Sequence, residues 1–356
     1  MTVLFTLIIV LFVAVAIWQL VKIFDLAQVS TDTSNGGIAT DYDNKVNGYL
    51  MLWFLAFIYI FTIICLIYWG HMPLMSNAAS EHGAQIDNLM IISMVLLFVV
   101  QALTQFLLHW FAFKYRGEQG KKALYYADNN TLEAIWTIIP VITLSGLIIY
   151  GLFTWTSIMN IDEDSDPMVV ELYAQQFAWT ARYAGQDNVL GKANVRLIDI
   201  DRANVLGIDE ADPNAADDII VKELHLVVGQ PVVFEIRSQD VLHSAYMPHF
   251  RAQMNCVPGM ITKFAFTPTI TTKEMREKPD MIEKVQNINA IRAEKSIELM
   301  AKGEEALDPY DFHFLLLCNK ICGKSHYNMQ MNIIVETQEE FNAWIQEQQT
   351  FKESLK

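Results

Sequence analysis

The first 160 residues of the chain alternate long uncharged apolar runs with short polar joints, and the remainder mixes apolar and polar positions at short range. Four runs lack charge over the roughly 20 residues that a helix needs to cross a bilayer: Val3–Val21, Tyr49–Trp69, Leu89–Phe113 and Ala134–Trp155. They predict a four-helix transmembrane domain over 1–160. The first run has no basic residue before it and no small-residue cleavage site after it, so it reads as a retained helix and not a secretory signal. The loop after the third run carries Lys114, Arg116, Lys121 and Lys122 against Glu118 and Asp128, whereas the loop before it has no Lys or Arg. Basic loops stay on the cytoplasmic side. The pattern therefore places both termini and the polar half outside the cytoplasm. His109 falls near the cytoplasmic end of its span, beside Trp110, where polar and aromatic side chains anchor at the lipid boundary.

From 161 to 356 the period changes. Met168–Leu172, Ile219–Val227, Pro231–Ile236, Ile261–Phe266 and Met331–Val335 alternate Val, Ile and Phe with polar residues. Short alternating runs with turn signals between them predict an all-β sandwich or barrel. Two stretches depart from this. Residues 272–307 are rich in Glu, Lys, Ala and Met, which predicts a helical insertion. Thr337–Lys356 reads as a terminal helix, with Glu339 and Glu340 in its first turn and Phe341, Trp344 and Ile345 on one face.

Composition sharpens the picture. At 53% hydrophobic residues the chain is too apolar for an ordinary soluble protein, and its net charge is −15. Between Ile161 and Asp218 there are thirteen Asp/Glu against four Lys/Arg. Such a run is usually a solvated face; its functional reading is steering of a basic partner. The sign disfavours nucleic acid. Four scattered cysteines, Cys65, Cys256, Cys318 and Cys322, are no disulfide framework. No C-x-x-C-H occurs, so no c-type haem is attached to this chain.

The candidate chemistry lies in Cys318-Asn-Lys-Ile-Cys322-Gly-Lys-Ser-His326-Tyr-Asn-Met329. Two thiols, an imidazole and a thioether share twelve residues. Such soft donors favour copper, and two cysteines in one loop can turn both sulfurs to a common point. A second histidine is available at His243, in Asp240-Val-Leu-His243-Ser244, at the end of an expected strand. A disulfide, or a zinc site including His326, remain open alternatives. A mononuclear blue-copper site needs only one cysteine. Cys65 and Cys256 read as packing residues, and His249 and His313 as core or surface residues.

C-x3-C-x3-H-x2-M downstream of D-V-L-H-S resembles the CuA domain of cytochrome c oxidase subunit II. Three further segments resemble the same family, in its order: Glu133-Ala-Ile-Trp136-Thr137-Ile-Ile-Pro140, Gln176-Phe177-Ala178-Trp179 and Val257-Pro258-Gly259. The resemblance implies a cupredoxin-like sandwich holding two copper ions. It implies that Cys318 and Cys322 bridge both, that His243 and Met329 complete one, and that His326 and the backbone carbonyl of Lys320 complete the other. By the same resemblance electrons enter at Phe177 or Trp179, and Glu133 marks the entrance of a proton path. The implied partners are subunit I, other oxidase subunits, membrane lipid, and cytochrome c or a haem domain of a neighbouring complex. The implied place is a bacterial inner membrane, with the soluble domain in the periplasm.

The chain departs from the family in several respects. Two spans are usual, so the first two read as an added hairpin. The 272–307 insertion is extra, and is a candidate docking surface. Phe177 stands where the family has Trp. Lys320 stands where it has a Glu whose carboxylate binds magnesium. An ammonium has no acceptor to offer a hard cation, so no magnesium carboxylate ligand is expected at Lys320. Two other classes remain. A copper-free quinol oxidase subunit is disfavoured by the intact Cys and His set. A membrane-tethered cupredoxin carrier or copper-delivery protein is disfavoured by the Glu133 motif.

Overall fold

The computed structural model describes residues 2–29, 40–70, 78–122, 124–161 and 166–355. Its contacts group into two units, Met1–His71 with Leu96–Glu133, and Met72–Val95 with Ala134–Lys356. Four apolar helices open the chain: α1 Thr2–Val29, α2 Asp41–Trp69, α3 Glu81–Lys114 and α4 Asn130–Met159. Three of them, α2, α3 and α4, are long and apolar enough to cross a membrane, and α1 adds a shorter apolar stretch, Ile8–Ile23. Thr40 starts α2 through a capping box, its hydroxyl accepting from Asp43 N at 3.2 Å while the Asp43 carboxylate accepts from Thr40 N.

In the first unit, Asp41 accepts from Gln119 N at 2.8 Å, so the joints before α2 and after α3 meet. Gly48 packs where a Cβ would come within 3.0 Å of Arg116 Cδ. His109 differs from the boundary anchor expected. It is buried, donates from Nδ1 to Gln105 O at 2.7 Å, and lies 5.8 Å from the Phe54 ring of α2. The bond to its own helix satisfies the ring inside the apolar contact.

The second unit holds a sandwich of two five-stranded sheets. One contains β1 Met168–Gln175, β2 Ala178–Tyr183, β3 Ile219–Val221, β5 Val232–Ser238 and β8 Thr262–Phe266, in the order β3-β2-β1-β5-β8. The other contains β4 Leu224–Val227, β6 His243–Met247, β7 Ala252–Cys256, β9 Phe314–Cys318 and β10 Gln330–Glu336, in the order β4-β10-β9-β6-β7. Pairs β1·β5 and β10·β4 are parallel, and the others antiparallel. Alternation sets the core: Phe314, Leu316 and Cys318 of β9, and Met331, Ile333 and Val335 of β10, all turn inward. They meet Leu172, Phe234, Leu224 and Leu226 in one cluster.

Three expectations are corrected. The run Ile219–Val227 is not one strand: β3 and β4 belong to different sheets, and the chain crosses over at Lys222 and Glu223, the charged pair that interrupts the apolar run. His243 opens β6 and does not end a strand, because β5 stops at Ser238 and a loop intervenes. The terminal helix is two helices, α7 Gln338–Gln346 and α8 Phe351–Ser354, each started by a capping box, Thr337 with Glu340 and Thr350 with Glu353. The helical stretch after β8 consists of α5 Thr272–Arg276 and α6 Pro279–Ala301.

The segment before α3 is sewn into the sandwich. Ala79 N donates to His249 O at 2.8 Å, Thr269 N to Ala79 O at 2.9 Å, and Ser80 Oγ to Phe250 O at 2.6 Å. Arg251 then grips Asp87 of α3 through Nε at 2.8 Å and Nη2 at 2.9 Å.

The acidic run is not wholly a solvated face. Glu171 and Asp218 are buried and share Arg182, whose Nε reaches Glu171 at 2.6 Å and whose Nη1 reaches Asp218 at 3.0 Å. Arg237 also donates to Glu171. Arg182→Met should strand the buried Asp218 carboxylate and destabilise the protein by about 3–5 kcal/mol. Denaturant unfolding of the detergent-solubilised chain measures this, and adding Asp218→Asn should restore much of the loss.

Candidate metal centre

The antiparallel register of β6 on β9 sets Ala245 opposite Cys318, which brings His243 beside the end of β9. His243 Nδ1 stands 3.7 Å from Cys318 Sγ although 75 residues separate them. The chain then loops from Cys318 to β10 and returns its own donors. Cys322 Sγ lies 3.8 Å from Cys318 Sγ, 3.7 Å from His326 Nδ1 and 3.9 Å from Met329 Sδ. Lys320 O approaches Cys318 Sγ to 3.2 Å. Cys318 N donates to Met329 O at 3.1 Å, closing the loop on itself. His243, Cys318 and Cys322 form a group able to hold a metal ion.

The donor chemistry discriminates between metals. A sulfur separation of 3.8 Å is far from the roughly 2.0 Å of a disulfide, and both cysteines are free. The converging atoms are two thiol sulfurs, a thioether, two imidazole nitrogens and a carbonyl oxygen. That is more than the four donors of a structural zinc site, and no carboxylate is among them. Soft donors of this kind fit copper.

His243 is oriented from behind. Its Nε2–H donates to Asp240 Oδ1 at 2.8 Å, which leaves the Nδ1 lone pair facing the sulfurs. Asp240 Oδ2 accepts from Gln176 N at 2.7 Å. Burial opposes ionisation of Asp240, but the bonds from His243, Gln176 N and Val241 N outweigh it and hold its pKa below the usual value. Burial, then the neighbouring Cys318, pushes the Cys322 thiol up to about 11. Sequence reasoning gave Asp240 and Gln176 no role. Their only signals are an Asp three residues before His243 and a Gln at the head of the aromatic segment.

The remaining sequence candidates separate. Phe177 sits half-buried at the tip of the β1–β2 hairpin, against Gly323. Trp179 is 2% exposed, and its ring meets His243 edge-on at 6.3 Å. The Lys320 side chain is exposed. Glu133 is exposed in the first turn of α4 and lies in the first unit. His249 is held neutral, its pKa pushed down to about 4 by burial and then by Lys284 and Arg251. Its ring packs edge-on against Phe312 and Phe314. His313 is half-buried beside Arg276. Cys256 is fully buried.

Residues 68–153 match the family described as cytochrome c oxidase subunit II, transmembrane domain. An alternative cytochrome c oxidase subunit 2 from Bradyrhizobium diazoefficiens is 29% identical over 285 residues, covering 80% of this chain and 85% of that one. The chain is related to subunit II of cytochrome c oxidase. A cytochrome c oxidase subunit 2 from Thermostichus vulcanus is 22% identical over 324 residues, covering 84% of this chain and 85% of its own length. Among solved structures, the periplasmic domain of subunit II of cytochrome oxidase from Bradyrhizobium japonicum matches 50% of this chain and 91% of its own. That likeness has 19% identity and a TM-score of 0.28.

Asp240→Asn keeps the shape of the side chain but weakens the acceptor for His243. It should lower copper affinity about 10–100-fold. Competition against a copper chelator, with the full chain in detergent, measures the loss.

Proposed function

We propose that this chain is the electron-accepting subunit of a cytochrome c oxidase. It takes electrons from cytochrome c at a dinuclear copper centre and passes them to haem in subunit I, where oxygen is reduced to water and protons are pumped. The observation that carries the reading is the convergence of Cys318, Cys322, His243, His326, Met329 and the Lys320 carbonyl. A copper pair bound there supplies one-electron acceptance with the charge shared between two metals, so little has to move.

Each residue has a part in this reading. Cys318 and Cys322 would hold both ions. His243 and Met329 would complete the donor set of one, and His326 and the Lys320 carbonyl that of the other. The β6–β9 register and the Asp240 bond hold these donors in advance, which keeps rearrangement small. Phe177 rather than Trp179 offers the apolar contact for the donor, because Trp179 is closed off from any partner surface. Lys320 contributes only its carbonyl, since an ammonium cannot ligate magnesium. The sandwich stands in the periplasm of a bacterial inner membrane, on the side away from the basic 114–122 loop.

Copper analysis and electron paramagnetic resonance of the full chain test the proposal. The expected result is two coppers per chain and one unpaired electron spread over both, lost in Cys322→Ser. One copper with a simple four-line spectrum would point to a tethered cupredoxin carrier, and no copper to a quinol-type subunit.

Glu133 lies at the cytoplasmic start of α4 in this topology. An ionisable group there is a functional candidate, although a first-turn Glu also suits the helix dipole. Glu133→Gln should slow steady-state oxygen consumption by the assembled oxidase while reduction of the copper centre keeps its rate. Unchanged consumption would leave the dipole role alone.

A further inference from the structure

The tip of the β1–β2 hairpin touches both ligand-bearing loops through one residue. Gln176 uses its backbone N–H on Asp240 Oδ2 at 2.7 Å, and the other oxygen of Asp240 holds His243. The side-chain Nε2 of the same residue donates to the carbonyl of Cys322. The two loops lie 64 and 146 residues away in sequence. The contact at the second loop is tight. Gly323 has φ +142°, and a Cβ there would come within 2.8 Å of Phe177 Cζ and 3.0 Å of Gln176 Nε2. The hairpin tip is thus pressed on the Cys322–Gly323 peptide, and only glycine leaves it room.

We infer that Gln176 is a positioning residue of the metal centre. Its amide fixes the Cys322–Gly323 peptide, and so the direction of Cys322 Sγ, while tying the Phe177-bearing tip to the same loop. The inference rests on the copper reading above and deepens it. Two consequences follow from elementary chemistry. A donor on the carbonyl of a thiolate ligand draws electron density from that residue, which tunes the metal. A peptide held on both sides keeps Cys322 and His326 converged when the metal is bound or lost.

Gln176→Met keeps the length of the side chain and removes the donor. Gln176→Glu places an acceptor against an acceptor. Both are compared with the wild type and with Gln346→Met, a surface change on α7, as full chains in detergent. The Met variant should still hold two coppers. It should release them to a chelator about three- to tenfold faster, the effect of one hydrogen bond. Its copper hyperfine pattern and midpoint potential should also differ from wild type. The Glu variant should be faster still, and Gln346→Met unchanged. The unfolding midpoint of the metal-free Met variant should match wild type, which separates positioning from general stability. Identical release, hyperfine pattern and potential in both Gln176 variants would overturn the inference while leaving the copper centre intact. Release that rises only in step with lost metal-free stability would overturn it as well. A wild type without a shared-electron signal would sink the copper reading itself, and this inference with it.

Discussion

β6 and β9 meet through a short register, Ala245 against Cys318 and Tyr246 against Leu317, extended by Asn319 N donating to Ser244 O at 3.1 Å. The candidate metal centre depends on that pairing. In a strand successive side chains face opposite sides, so a slip of one residue would turn His243 away from the sulfurs and an inward Cys318 outward. The two core faces guard against the slip, because Phe314 and Leu316 would have to leave the interior with Cys318. Apolar packing therefore fixes the position of a polar side chain. The loop from Cys318 to Met329 needs only short-range bonds once its two ends are held by β9 and β10.

The same sandwich is tied to a membrane helix. The residues just before α3 behave as an extra strand-like strap, and Arg251 continues the tie by gripping Asp87 with two nitrogens. Arg251 belongs to the turn between β6 and β7, so the strand that opens with His243 ends at the tie to α3. Bidentate pairs of this kind are directional as well as attractive. They fix direction as well as distance, where a lone ammonium would fix only distance.

Much of this was legible in sequence because the evidence there is local. Uncharged runs announce helices, alternation announces β5 and β10, and the sulfur-rich loop carries five of its donors within twelve residues. What is hidden is non-local. The run Ile219–Val227 reads as one strand although Lys222 and Glu223 interrupt it, because a charged pair alone does not reveal that the two halves pair with different sheets. The supporting bonds of Asp240 and Gln176 cross 64 and 146 residues, distances over which periodicity says nothing. Phe177 and Trp179 look equivalent in a motif, yet the turn of a two-residue hairpin puts one at the tip and the other behind His243. Glu171 and Asp218 look like ordinary surface acids, and only folding shows that Arg182 collects both.

Cys256 of β7 lies directly opposite His243 of β6, and it is fully buried. Its burial, aided by the charge that Cys318 can carry, pushes its thiol up to about 12. Three sulfurs in one neighbourhood offer three ways to form a wrong bond under oxidising conditions. Exchange between thiols and disulfides begins with a thiolate attacking sulfur. A closed core gives no oxidant a path to Cys256, which is wholly buried. The third cysteine is therefore kept apart by its surroundings from Cys318 and Cys322, whose sulfurs lie closer to the surface.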